Sequence, residues 1–248
     1  MTLSIPDKVS WRKMITSDSL DQYNKTSAKR ILKTSNNCSH DNISYLILPL
    51  THELLEWFIP LYTEKLATMS NPALSDIYTK TIVNNKKDFF ILVIFENDLK
   101  IGGAIFSQTE TDINIAYKIF ENNWSVSTLP ASPSLFADYL LTEYGRTTHK
   151  QLISHGKDRN GYGKTSNINL AIFKISLGYK PYLPKKYHLQ TIDTENIVED
   201  SLYFFSKENS AELEGYLFTA KDTASNWSRL NSYSDKVAIE WIMRSETI

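Results

Sequence analysis

Residues 150–187, KQLISHGKDRNGYGKTSNINLAIFKISLGYKPYLPKKY, decide how this chain is read. Gln151 to Ser154 is a short strand signal, and a polar loop with Gly161 and Gly163 follows. From Asn167 to Leu177 the residues Ile168, Ala171, Ile172 and Ile175 recur at spacings of three and four, the apolar face of a helix. Gly178 fits the position after a helix end, and Pro181 lies shortly beyond. Tyr187 to Ile192 is the next strand. Amides at a helix start favour anions, and Lys157, Arg159 and Lys164 add positive charge beside it. A phosphate, pyrophosphate or carboxylate is therefore the expected guest of the 155–166 loop, with Ser166 and Asn169 at the helix start as further contacts. The competing reading is a solvated connection. A Walker motif is excluded, because its first glycine would fall at Asp158.

Outward from that stretch the chain alternates strands and helices. Tyr45 to Leu50 reads as a strand, and Thr51 caps a helix whose apolar face is Leu54, Leu55, Phe58, Leu61, Tyr62 and Leu66. Asn71-Pro72 ends it, and a weaker helix covers Ser75 to Val83. Phe89–Phe95, Lys100–Gln108 and Ile113–Phe120 form a three-stranded meander with a turn at Asn97-Asp98. Ser132 followed by Pro133 starts a helix with Phe136, Leu140 and Tyr144 inside, and Gly145 stops it. Near the N-terminus, Trp11, Met14, Ile15 and Leu20 suit a short helix and Ala28–Leu32 a second. Leu202–Phe205, Gly215–Ala220 and Val237–Met243 are further strands or helices.

Composition narrows the function. The 248 residues are 42% hydrophobic and 22% charged with a net charge of −1, so nothing marks a polyanion binder. One cysteine, Cys38, forms no internal disulfide and, with His40, His52, His149 and His188 out of ligand spacing, builds no metal site. No run approaches the roughly 20 apolar residues of a membrane span, and the start has no signal-peptide core. The expectation is a cytoplasmic, soluble protein. Neither a G-x-S-x-G elbow nor a G-x-G-x-x-G fingerprint is present. His155 stands near the carboxyl end of its strand; histidine as a residue type titrates near neutral pH, which suits removal of a proton from an attacking amine. Asp158 orients it or acts alone, and Tyr117 on the third meander strand is placed to protonate a leaving thiolate. The bland readings are a structural histidine, a turn aspartate and a core tyrosine.

The element order is similar to the GNAT acyltransferase fold, an α/β architecture with a mixed, largely antiparallel sheet flanked by helices on both faces. NINLAIFKISLGYKP resembles that family's late segment. With Leu170, Phe173-Lys174 and Gly178 it is closer still to the Fem-type branch of peptidoglycan aminoacyltransferases. LTHELLEWFIPLYTEKLATMSNP resembles the early helix of that branch. The resemblance covers roughly residues 43–192 and implies a site role for Phe173 and Lys174. It divides the chain into an N-terminal extension (1–42), a GNAT-like domain (43–192) and a C-terminal addition packed on the domain (193–248). Conventional members hold the pyrophosphate of coenzyme A with Q/R-x-x-G-x-G/A; here that place is ENNWSVSTLPASPSL, without glycine. What the resemblance implies is N-acyl transfer from an activated carrier, acyl-CoA first, to an amine of a small molecule or amino sugar, without a metal. The alternatives are an aminoacyl-tRNA-dependent transferase, with tRNA as the only nucleic-acid partner, and a non-catalytic binding module. A homodimer is compatible with all three.

Overall fold

A computed structural model describes residues 2–38, 40–67, 76–77, 88–121, 123–125, 129–197, 200–207, 210–219, 224–233 and 236–243. The expected break at Asn71-Pro72 and nearly all of the expected helix Ser75–Val83 lie outside them. In chain order the elements begin with β1 (Thr2–Pro6), β2 (Lys8–Met14), α1 (Lys25–Asn37), β3 (Ile43–Pro49) and α2 (His52–Ala67). The meander β4 (Phe89–Glu96), β5 (Leu99–Gln108) and β6 (Asp112–Phe120) comes next, then α3 (Pro133–Thr147), β7 (Leu152–Arg159), α4 (Ile168–Ser176) and β8 (Lys180–Tyr182). The last are β9 (Leu189–Asp193), β10 (Ser201–Ser206), β11 (Leu213–Thr219), α5 (Ala224–Asn231) and β12 (Ile239–Met243). The architecture is mixed α/β with a mostly antiparallel sheet, as expected. The chain forms two compact units: Met14–Ser154, and Met1–Lys13 together with His155–Ile248.

In the first unit β3, β4, β5 and β6 are antiparallel neighbours in that order, and the start of β7 runs parallel to β6 through Asp112↔Leu152 and Asn114↔Ser154. Asn97 and Asp98 have φ of 50° and 63°, which makes the tight hairpin their dipeptide predicts. The β5–β6 register shifts where Ile105 faces Tyr117 and Phe106 faces Ile115, so Ala116 is the extra residue of a bulge. The periodicity of α2 lays Leu55 and Phe58 on Ile91, Val93 and Ile105 of the sheet. Each such buried side chain contributes about 1.5–3 kcal/mol. Ser132 caps α3 by accepting from Leu135 N at 3.3 Å. Gly145 does not stop that helix, which continues to Thr147. A Cβ at Gly145 would lie 2.5 Å from Ile15 Cδ1, so the glycine serves packing instead.

In the second unit β1 pairs antiparallel with β9, β2 lies between β7 and β8, and β10, β11 and β12 form a separate sheet. Residues 8–14 are a strand and not the expected helix. The strand is buried on both faces: Val9, Trp11 and Lys13 on one and Ser10 on the other. Ile5, Tyr203 and Phe218 form one core cluster of this unit.

Candidate functional site

The expected loop at 155–159 is the second half of β7, because the strand runs on to Arg159. Three positions along a regular strand would put His155 and Asp158 on opposite faces. Gly156 interrupts the alternation with φ +73°, a left-handed conformation that glycine adopts without penalty. Both side chains therefore reach the α4 segment. Asp158 meets Lys174 of α4, and the His155 ring stands edge-on to Tyr179, just beyond α4, at 5.4 Å between centroids.

Lys174 is at the centre of the cluster. It is not the solvent-facing residue its charge suggests: its side chain is 3% exposed, against 15% for Asp158. Its Nζ donates to Asp158 Oδ2 at 2.7 Å and to the His155 carbonyl at 3.3 Å, and lies 5.6 Å from the centre of the Trp11 ring. Burial lowers the lysine pKa, and the Asp158 carboxylate opposes that shift. The same carboxylate oxygen accepts from the Tyr162 hydroxyl at 2.9 Å, and that hydroxyl accepts from Trp11 Nε1 at 2.8 Å. Burial, then the Asp158 charge, push the Tyr162 pKa well above its ordinary value. Trp11, Tyr162 and Phe204 close the cluster with edge-on ring contacts. Lys13, also buried, lies 4.8 Å over the Tyr179 ring.

The glycine loop after β7 is not an open amide cradle. Tyr162 exchanges both main-chain hydrogen bonds with Leu202, at 2.9 and 2.7 Å, and Gly163 N donates to Ser166 O. Lys164 N and Thr165 N both donate to Gly161 O. Gly163 has φ +102°, and a Cβ there would lie 2.0 Å from the Asp200 carbonyl oxygen. This glycine is thus required by close main-chain approach to the segment before β10. Asn160 ties the same turn down: its buried amide donates to Pro6 O and Phe204 O and accepts from Phe204 N.

The structure therefore brings His155, Asp158 and Lys174 together. Lys157, Arg159 and Lys164 are exposed on the same unit, outside that cluster. Asn167 caps α4 through Asn169 N, and the Asn169 side chain accepts from Arg229 at 2.7 Å. Phe173 is half-buried. Tyr117 belongs to the other unit, edge-on to Tyr62 at 5.7 Å. Sequence reasoning missed Trp11, Lys13, Tyr162 and Tyr179; the alternation of Val9 and Trp11 was the available signal for the first of them. In the first unit, a cavity of about 460 Å³ opens beside the glycine-free segment, lined by Arg30, Trp124, Leu129 and Ser132 among others.

No family model matches this sequence, and no curated protein does. Solved structures do match. The crystal structure of FemX superposes with a TM-score of 0.51 at 12% identity, over 70% of this chain and 59% of that one. The fold is of the GNAT type. The C-terminal DUF2156 domain of a candidate lysylphosphatidylglycerol synthetase from Agrobacterium fabrum gives 0.48 at 11% identity, over 76% of this chain and 61% of that one. L-PGS from Bacillus licheniformis gives 0.43 at 13%, over 70% and 52%. The chain spans less than two thirds of the length of each of these proteins. Among the described residues no helix is long and apolar enough to cross a membrane, and no three His, Cys, Asp or Glu side chains gather as metal ligands.

Proposed function

We propose that this GNAT-type chain is an N-acyltransferase that moves an acyl group from an activated carrier, acyl-CoA first, to an amine of a small molecule or amino sugar. The observation that carries the reading is the buried Asp158–Lys174 pair, placed beside His155 by Gly156 at the position where the Phe-Lys phrase resembles the Fem-type branch. An amine attacking an acyl carbonyl must lose a proton, and His155 is the group assigned to take it. Asp158 is engaged here, since Tyr162 and Lys174 both donate to it. It acts with Lys174 and Tyr162 as a positioning unit that holds the His155 end of β7 against α4. Donor charge falls to the exposed Lys157, Arg159 and Lys164, with Ser166, Asn169 and Phe173 beside them.

The test is release of free thiol from acetyl-CoA in the presence of a panel of primary amines and amino sugars. Replacing His155 by Ala should lower turnover at least about tenfold. Donor binding measured by calorimetry should weaken as salt rises, because exposed charges are screened over about 8 Å at physiological ionic strength. Lys164→Ala should weaken it further. Thiol release that is unchanged in His155→Ala removes the histidine from the mechanism. If acetyl-CoA does not bind at all, the acyl-CoA reading is lost. The second reading, aminoacyl transfer from tRNA, draws on the FemX likeness and on a 121–135 segment with no glycine. Consumption of aminoacyl-tRNA by a protein that ignores acetyl-CoA would establish it.

A further inference from the structure

Among the described residues, none pairs with the outer edge of β3. This strand is the last in its row, and its pairing with β4 runs from Ile43↔Glu96 to Pro49↔Phe90 without a register shift. Leu50 N donates inward to Phe89 O at 2.9 Å, whereas Ile43 N turns outward to Cys38 O at 2.8 Å. In an antiparallel strand, main-chain groups of alternate residues point to the same side. The outward groups between those two ends are therefore the N–H and C=O of Tyr45 and Ile47, and no described residue bonds to them. Pro49, which has no N–H, closes the window at one end. The strand ISYLILP carries no charge, and Tyr45 and Leu46 are each 50% exposed. Solvent-facing edges are ordinarily protected by a lysine, a bulge or a cover; β3 has neither charge nor bulge.

We infer that β3 pairs antiparallel with β3 of a second copy of this chain, about a twofold axis through Leu46. That register sets Tyr45 against Ile47 of the second copy, and the reverse, giving four main-chain hydrogen bonds. It also sets Leu46 against Leu46. A strand's own copy is the occupant that fits, because the free donors and acceptors at 45 and 47 lie symmetrically about Leu46. Nothing charged is brought against its like across the axis. The contact is one short strand from each copy, so the pair should dissociate on dilution, with Kd of about micromolar to millimolar. The inference goes beyond acyl transfer and does not depend on it.

Sedimentation of the full chain from about 1 μM to 1 mM should show a reversible monomer–dimer equilibrium. Leu46→Lys, at a half-exposed position, should raise Kd about tenfold or more by opposing two ammonium groups. Leu46→Cys in a Cys38→Ser background should oxidise to a covalent dimer, because Cα atoms about 4.5 Å apart in a non-hydrogen-bonded pair are within disulfide reach. The control is Leu99→Cys in the same background, 72% exposed at the β4–β5 turn. A monomer at every concentration overturns the inference. So does a dimer that Leu46→Lys leaves unchanged, or crosslinking at Leu46 no faster than at Leu99.

Discussion

Replacing Asp158 with asparagine leaves the Lys174 ammonium buried without its carboxylate. The lysine side chain is 3% exposed and its Nζ lies 2.7 Å from Asp158 Oδ2, so water does not substitute for the lost charge. Removing one partner of such a pair costs about 3–5 kcal/mol, because an uncompensated buried charge remains. At roughly 2–4 °C per kcal/mol for a chain of this size, the melting temperature should fall by about 6–20 °C. The sign of the pH dependence follows from the lysine. Burial already lowers its folded-state pKa, and in Asp158→Asn the opposing attraction is gone, so the folded pKa falls further. Between that folded value and the ordinary lysine value, the unfolded chain binds more protons than the folded one, and stability rises with pH. The deficit of Asp158→Asn against the parent protein should therefore narrow as pH is raised from 7 towards 10. Tyr162, with its pKa raised by burial, stays neutral in the folded chain throughout that window. The assay is urea unfolding at a series of pH values, with Lys174→Met and the double variant completing a cycle. The double variant should be more stable than Asp158→Asn alone, since no buried charge is left. A deficit under about 1 kcal/mol that does not change with pH, or a double variant at the sum of the two single losses, would refute an energetically coupled buried pair.

Tyr162→Phe strips the acceptor from the Trp11 indole N–H and should cost about 1–3 kcal/mol in urea unfolding; a loss within experimental error would mean the indole finds another partner. Gly163→Ala combines φ +102° with a Cβ 2.0 Å from the Asp200 carbonyl and should destabilise by more than about 2 kcal/mol. Gly161→Ala, whose Cβ first meets a Tyr203 ring atom at 3.1 Å, should cost less; equal losses would contradict the close-approach argument. Asn160→Ala leaves three buried main-chain partners of Pro6 and Phe204 unmatched and should lower stability by about 2 kcal/mol or more, read as an earlier urea midpoint.

Sequence by itself determined the elements whose signals are local. The 3.6-residue spacing of Leu55 and Phe58, the Ser132-Pro133 start and the Asn97-Asp98 turn act within a few residues of chain, and each appears where its pattern puts it. The order of those elements was enough to suggest the GNAT-type fold. The candidate cluster was legible only in part. Charge and the Phe-Lys phrase mark His155, Asp158 and Lys174, but their arrangement depends on Gly156, whose φ of +73° no spacing rule exposes. The loop glycines were legible as glycines; that Gly163 answers to the Asp200 carbonyl was not, because the two are 37 residues apart in the sequence. Trp11 and Tyr162, 151 residues apart, meet only once β2 lies between β7 and β8. The burial of Lys174 was likewise a tertiary decision. A lysine on a helix defaults to solvent, and it goes inside only where the rest of the fold delivers a carboxylate at hydrogen-bond distance and an aromatic face to its ammonium.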